Sequence, residues 1–234
     1  MIEFIKRDFG NYFQDVSTAP EGNVENTDPR YNNRRTHCRS GMYTFTKMIK
    51  PKHVLEIGSM VYDSSNMIGM AMDEMGIDGV IDSIDIVDGG CHGQKRKQIN
   101  KRIRPRFWLP HHTSYDKWKY STNIAHPEFK DMSNEEIFSK NLEFLRSFAP
   151  IDGYDMILID GDHSYEGVSY EWQYANRVSH PKTLMVIDDM YDSRHWQVRK
   201  FYDTLQTTKW DFVEWNNIPT NPLQSTAITL PEGY

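Results

Sequence analysis

Short apolar runs recur along the chain and break at glycine or in carboxylates. Val54-Leu55-Glu56-Ile57-Gly58 stops at glycine, and the run from Val80 to Ile86 passes through Asp85. Tyr154-Asp155-Met156-Ile157-Leu158-Ile159 ends in Asp160-Gly161-Asp162-His163, and Leu184-Met185-Val186-Ile187 ends in Asp188-Asp189. Runs of this kind with glycine or proline nearby read as strands buried on both faces of a parallel sheet. Arg106 to Leu109 reads as a further strand, and Trp210–Trp215 and Ser225–Leu230 as a closing antiparallel pair. Between them the period changes to that of helices. Ser64 to Met75 carries Met67, Ile68, Met70, Ala71, Met72 and Met75 at helical spacing, where thioethers serve as adaptable core filler. Ser133 to Phe148 opens with a capping box, Ser133 as N-cap and Glu136 three positions on. Helices also follow near 166–178 and 192–206, and a short one ends before Pro51. The pattern predicts an α/β fold: a doubly wound, mostly parallel, seven-stranded Rossmann-like sheet with an antiparallel last strand. Residues 1–40, rich in Asn, Asp, Thr, Pro and Arg, read as an irregular amino-terminal arm or lid, and 41–234 as the Rossmann-like domain.

Composition narrows the partners. The 234 residues suit one large domain with a full core, at 38% hydrophobic and 26% charged content. A formal charge of −6 argues against nucleic acid, although Lys95, Arg96, Lys97, Lys101, Arg102, Arg104 and Arg106 form a local basic run. That run reads as a solvated helix face and loop. Cys38 and Cys91 give neither a disulfide framework nor a metal-ligand spacing. No signal-peptide core and no bilayer-spanning segment is visible, so a cytoplasmic setting away from membranes is expected.

The chemistry gathers at the strand ends. An open α/β sheet builds its crevice outside the carboxyl ends of its strands. Neighbouring ends would bring Asp160, Asp188 and Asp189 together with His163 beside them. Converging carboxylates repel unless a cation sits among them, and a hard divalent ion answers that need. Gly58 and Ser59 stand at the first strand-to-helix turn, where glycine lets backbone approach a ligand or simply permits a tight turn. Asp85, ending the second strand, can accept hydrogen bonds from two ribose hydroxyls. Asp162 reads as a loop-turning residue, Tyr165 and Glu166 as the start of the next helix, and His111-His112 as a surface loop. Trp172, Trp196, Trp210 and Trp215 read as packing residues.

Taken together, Val54-Leu55-Glu56-Ile57-Gly58, Ile84-Asp85, Ile159-Asp160-Gly161-Asp162-His163-Ser164-Tyr165-Glu166 and Val186-Ile187-Asp188-Asp189 resemble the class I S-adenosylmethionine-dependent methyltransferases. Within them the chain is most similar to the metal-dependent small-molecule O-methyltransferases, a branch that includes catechol, macrolide-sugar and cephalosporin-hydroxylase-like members. The resemblance covers about residues 40–230; its Asp-Gly-Asp-His-Ser-Tyr-Glu stretch is specific and its Glu-x-Gly stretch generic. It implies S-adenosylmethionine and Mg²⁺, or another divalent cation, as cofactors. Asp160, Asp188 and Asp189 fall where the metal ligands lie, and His163 where a general base stands. Asp85 would hold the ribose, and Glu56 and Gly58 would line the methionine end. Ser59, Ser64, Ser114 and Asp160 complete the implied cofactor set, with Ser64 and Ser65 capping amides at the helix start and Ser114 near the adenine.

The implied reaction is metal-assisted O-methylation of a small hydroxylated metabolite or sugar. Two adjacent oxygens on the acceptor would use such a site fully. One position departs from the family pattern: Tyr62 stands where relatives carry a second glycine, and would narrow the cofactor pocket or redirect the loop. Two alternatives stay open, a non-methylating enzyme of the same fold and a non-catalytic cofactor-binding protein. A homo-oligomer is compatible with everything in the sequence.

Overall fold

The computed structural model describes residues 1–13, 35–59, 62–87, 100–112, 126–190, 196–211 and 226–233. Seven strands form one sheet: β1 (His53–Ile57), β2 (Val80–Asp85), β3 (Ile103–Phe107), β4 (Tyr154–Ile159), β5 (Ser179–Ile187), β6 (Lys209–Asp211) and β7 (Ala227–Thr229). Their order is β3-β2-β1-β4-β5-β7-β6. The pairings among β1 to β5 are all parallel, and β7 runs antiparallel to both β5 and β6. The doubly wound sheet with an antiparallel last strand is therefore the one the apolar runs predict.

Among the described residues six α-helices flank it: α1 (Ile2–Tyr12), α2 (Arg35–Ile49), α3 (Asp63–Glu74), α4 (Asn134–Arg146), α5 (Tyr165–Arg177) and α6 (Trp196–Thr204). The two-residue period of the strands sorts them into layers. Val54, Met156, Leu158, Leu184 and Val186 face α1, α2 and α3 with Phe9, Phe45 and Met72. Leu55, Ile57, Ile157, Ile159, Met185 and Ile187 face α4, α5 and α6 with Leu145, Trp172 and Phe201. Burying both faces explains why the central strands are unbroken apolar runs. The Ser133–Glu136 capping box is present in full at the start of α4.

Two elements differ from the sequence reading. Residues 2–12 are helical rather than irregular, because Ile2, Ile5 and Phe9 form a helical stripe that is wholly buried. Phe9 packs 5.5 Å from the Phe45 ring of α2, and α2 runs from Arg35 across the expected boundary at residue 40; residues 14–34 lie outside the described residues. The third strand lies at Ile103–Phe107, not 106–109, and takes in Pro105. Proline is admissible there because β3 is an edge strand of the sheet. Within the basic run, Arg102 pairs with Asp73 at 2.8 Å and Arg106 with Asp82 at 3.4 Å, whereas Lys95, Arg96 and Lys97 lie outside the described residues. Among the described residues no helix is long and apolar enough to cross a membrane.

Candidate active site

The strand order reverses between β1 and β4, which places a topological switch point at their carboxyl ends. Gly58 ends β1 there with φ 91°, and a Cβ at this position would run into the Asp160 carbonyl. Glycine is thus required by the neighbouring strand end as well as by the turn. Glu56 is fully buried on the α3 side of the sheet. Ser65 donates its hydroxyl to Glu56 Oε2 at 2.6 Å, and Ser83, its register partner on β2, donates to the same oxygen. Burial pushes the Glu56 carboxyl up to about 8, the two hydroxyl donors pull the other way, and the charges of Asp160 and Asp85 add to the rise. The expectation that Glu56 lines the cofactor's methionine end therefore meets a side chain already engaged within the core.

Asp85 is half-buried at the end of β2. Its Oδ1 accepts the Ile86 and Val87 amides at 2.7 and 3.1 Å, and its Oδ2 accepts the Ser59 hydroxyl at 3.2 Å. A carboxylate offers about four lone-pair sites. Holding a ribose diol on both hydroxyls would require the Ser59 hydroxyl to turn aside. Ser64 is buried in the first turn of α3, but the N-cap is Tyr62, with no side-chain cap hydrogen bond. Ser65, expected to cap the helix start, donates its hydroxyl to Glu56.

Asp160, His163 and Asp189 converge. His163 Nε2 lies 3.4 Å from Asp160 Oδ1 and 3.5 Å from Asp189 Oδ2, and all three donor atoms lie within 4.8 Å of one another. Asp189 adopts a left-handed backbone (φ 57°), a conformation that Asp tolerates better than most residues. That turn ends the run of β5 beside the β4 loop. Mg²⁺ takes oxygen ligands at about 2.1 Å, and the half-buried Asp160 and Asp189 carboxylates are close enough together to be drawn onto one such cation. Asp188 is not one of the three: it is buried and accepts the Thr226 hydroxyl at 3.1 Å.

Glu171 was not singled out in the sequence, and His111 and Trp196 sit differently from their expected places. Asp162 is buried and caps its own loop by accepting the Ser164 amide at 2.9 Å, in keeping with its expected role, but the loop also rests on Glu171 of α5, which accepts the Asp162 amide at 2.7 Å. Burial drives the Glu171 carboxyl well above its ordinary range. The signal was a carboxyl on an apolar helical stripe with Val168, Trp172 and Ala175. His111 is not on a surface loop. It is buried, stacked 4.1 Å from Tyr170, with Nε2 2.7 Å from the Tyr174 hydroxyl, and burial lowers it to about 4. Trp172 is buried as expected, whereas Trp196 is 59% exposed where α6 begins. Tyr62 adopts the left-handed conformation (φ 64°) that favours glycine, yet its ring is buried in the core under α1 to α3 rather than in the crevice. Ser114 and Trp215 lie outside the described residues.

Comparison with known proteins agrees with this geometry. Residues 55–190 match the model of a family described as a methyltransferase domain. No curated protein matches the chain. Among solved structures, the Bacillus cereus O-methyltransferase in complex with SAH is similar with a TM-score of 0.52 at 13% identity, over 98% of this chain and 96% of that one. The O-methyltransferase TomG from Streptomyces achromogenes, in complex with SAM, gives 0.50 at 13%, over 99% and 95%. The SAH-bound methyltransferase PaMTH1 of Podospora anserina gives 0.51 at 10%, over 83% and 77%. The family match spans both the Gly58 turn and the Asp160–Asp189 cluster, and the chain belongs to the methyltransferase domain family, with the fold of the S-adenosylmethionine-dependent enzymes.

Proposed function

We propose that this methyltransferase is an O-methyltransferase that moves the methyl group of S-adenosylmethionine to a hydroxyl of a small metabolite or sugar, assisted by a divalent cation. The observation that carries the reading is the convergence of Asp160, His163 and Asp189 at the switch point, beside the Gly58 turn. Asp160 and Asp189 would hold the cation. Bound there, a cation lowers the pKa of a coordinated hydroxyl and fixes its direction. His163 Nε2 would take the hydroxyl proton as the oxygen–carbon bond forms and the carbon–sulfur bond breaks. Asp85 would accept from the cofactor ribose once Ser59 turns away. An acceptor with two adjacent oxygens would engage both the cation and His163. The same reading makes the setting cytoplasmic and the partner a small molecule.

Calorimetric titration with S-adenosylhomocysteine tests the cofactor half. The wild-type chain should bind it at micromolar concentration, and Asp85→Ala should lose at least about 10-fold, one charge-assisted hydrogen bond being worth about 1.5–3 kcal/mol. Equal binding by the variant would remove Asp85 from the cofactor site.

A further inference from the structure

The turn that carries Asp160 and His163 is gripped from below by α5. Glu171 accepts the Asp162 amide at 2.7 Å. Gly161 lies so close that a Cβ there would run into the Glu171 carboxyl, and a Cβ on Gly167, one turn earlier on α5, would run into the Asp162 carboxyl. The gripped pair, Gly161 and Asp162, separates the two residues whose side chains meet at 3.4 Å. Glu171 is an expensive choice for the apolar stripe of α5. It is buried, and its Oε2 has no partner among the described residues. An apolar residue would fill the stripe but leave the Asp162 amide unpaired.

We propose that Glu171 is a positioning residue, whose carboxyl fixes the Asp160–His163 turn so that both side chains stay convergent with Asp189. The assignment rests on reading those three residues as the reaction centre. Supporting partners behind a metal site commonly change its affinity by about 10–100-fold when removed.

The test uses the full chain with Glu171→Ala, Glu171→Gln, Gly161→Ala and the Glu171→Ala/Gly161→Ala double variant. Mn²⁺ binding is followed by electron paramagnetic resonance, S-adenosylhomocysteine binding by calorimetry, and exchange of the Asp162 amide by NMR. Glu171→Ala should weaken Mn²⁺ by about 10–100-fold, speed Asp162 exchange, and leave S-adenosylhomocysteine affinity within about 3-fold, under 1 kcal/mol. Glu171→Gln keeps an acceptor for the amide and should stay close to wild type. Gly161→Ala should weaken Mn²⁺ by itself yet add little to Glu171→Ala, because the side chain it displaces is then absent. Unchanged Mn²⁺ affinity in Glu171→Ala overturns the assignment. So does an equal loss of both ligands, which would mark a framework role alone. A wild-type chain that binds no Mn²⁺ would refute the metal reading instead, and the clamp would then stand or fall on Asp162 exchange in Glu171→Ala.

Discussion

Glu56→Gln gives a prediction with a worked magnitude. The carboxyl is fully buried, and burial lifts it from 4.5 to about 8 against the pull of the Ser65 and Ser83 hydroxyls. Between those two values the folded chain keeps a proton that the unfolded chain has lost. Stability from this group is therefore complete below about 4.5 and declines as the pH rises to about 8. Each pH unit in that window costs about 1.4 kcal/mol, so between about pH 5 and pH 7 the loss is roughly 3 kcal/mol. Glutamine has the same shape, still offers an oxygen to both hydroxyls, and carries no charge. Urea unfolding of wild type and Glu56→Gln, followed by tryptophan fluorescence across that range, isolates the effect because the other titrating groups cancel in the difference. The variant should gain on the wild type steadily with pH, by roughly 3 kcal/mol over the interval. Parallel stability profiles would refute the reasoning, and would mean that Glu56 is ionised in the folded protein.

Further outcomes follow from the site and its frame. His163→Ala should cut turnover by about 100-fold or more while Mn²⁺ affinity falls only slightly, the pattern of a lost proton acceptor. Asp189→Asn, which the left-handed backbone accommodates, should instead weaken Mn²⁺ at least about 10-fold; equal effects of the two variants on Mn²⁺ would make His163 a ligand. Tyr62→Gly, although it installs the residue that a left-handed backbone favours, should destabilise the fold by about 1–4 kcal/mol. Losing a buried aromatic costs about 3–5 kcal/mol, against about 1–2 kcal/mol of left-handed strain relieved. A stabilised Tyr62→Gly in urea unfolding would contradict the core placement of that ring.

Which features were legible depends on whether their causes are local. The capping box of α4 is four residues long, and β1, β4 and β5 announce themselves as apolar runs, so these read directly from the chain. The carboxylates at the ends of β4 and β5 were visible for the same reason. Helix α1 was not, because its three inward residues gain their stability from α2 across an interval of some thirty residues rather than from helix propensity. Ser83 reveals its role only through register with Glu56, and His111 is buried only because α5 brings Tyr170 and Tyr174 over it. Asp188 and Asp189 look equivalent in sequence. The backbone turn at Asp189 separates them, sending one to Thr226 and the other to His163.

The most direct test of the central claim is a crystal structure with S-adenosylhomocysteine and Mn²⁺ bound, the metal located by its anomalous scattering. The account predicts an anomalous peak coordinated by Asp160 and Asp189, with His163 beside it and the ribose on Asp85. A cofactor seated elsewhere, or a saturated crystal with no metal peak at these carboxylates, would contradict it.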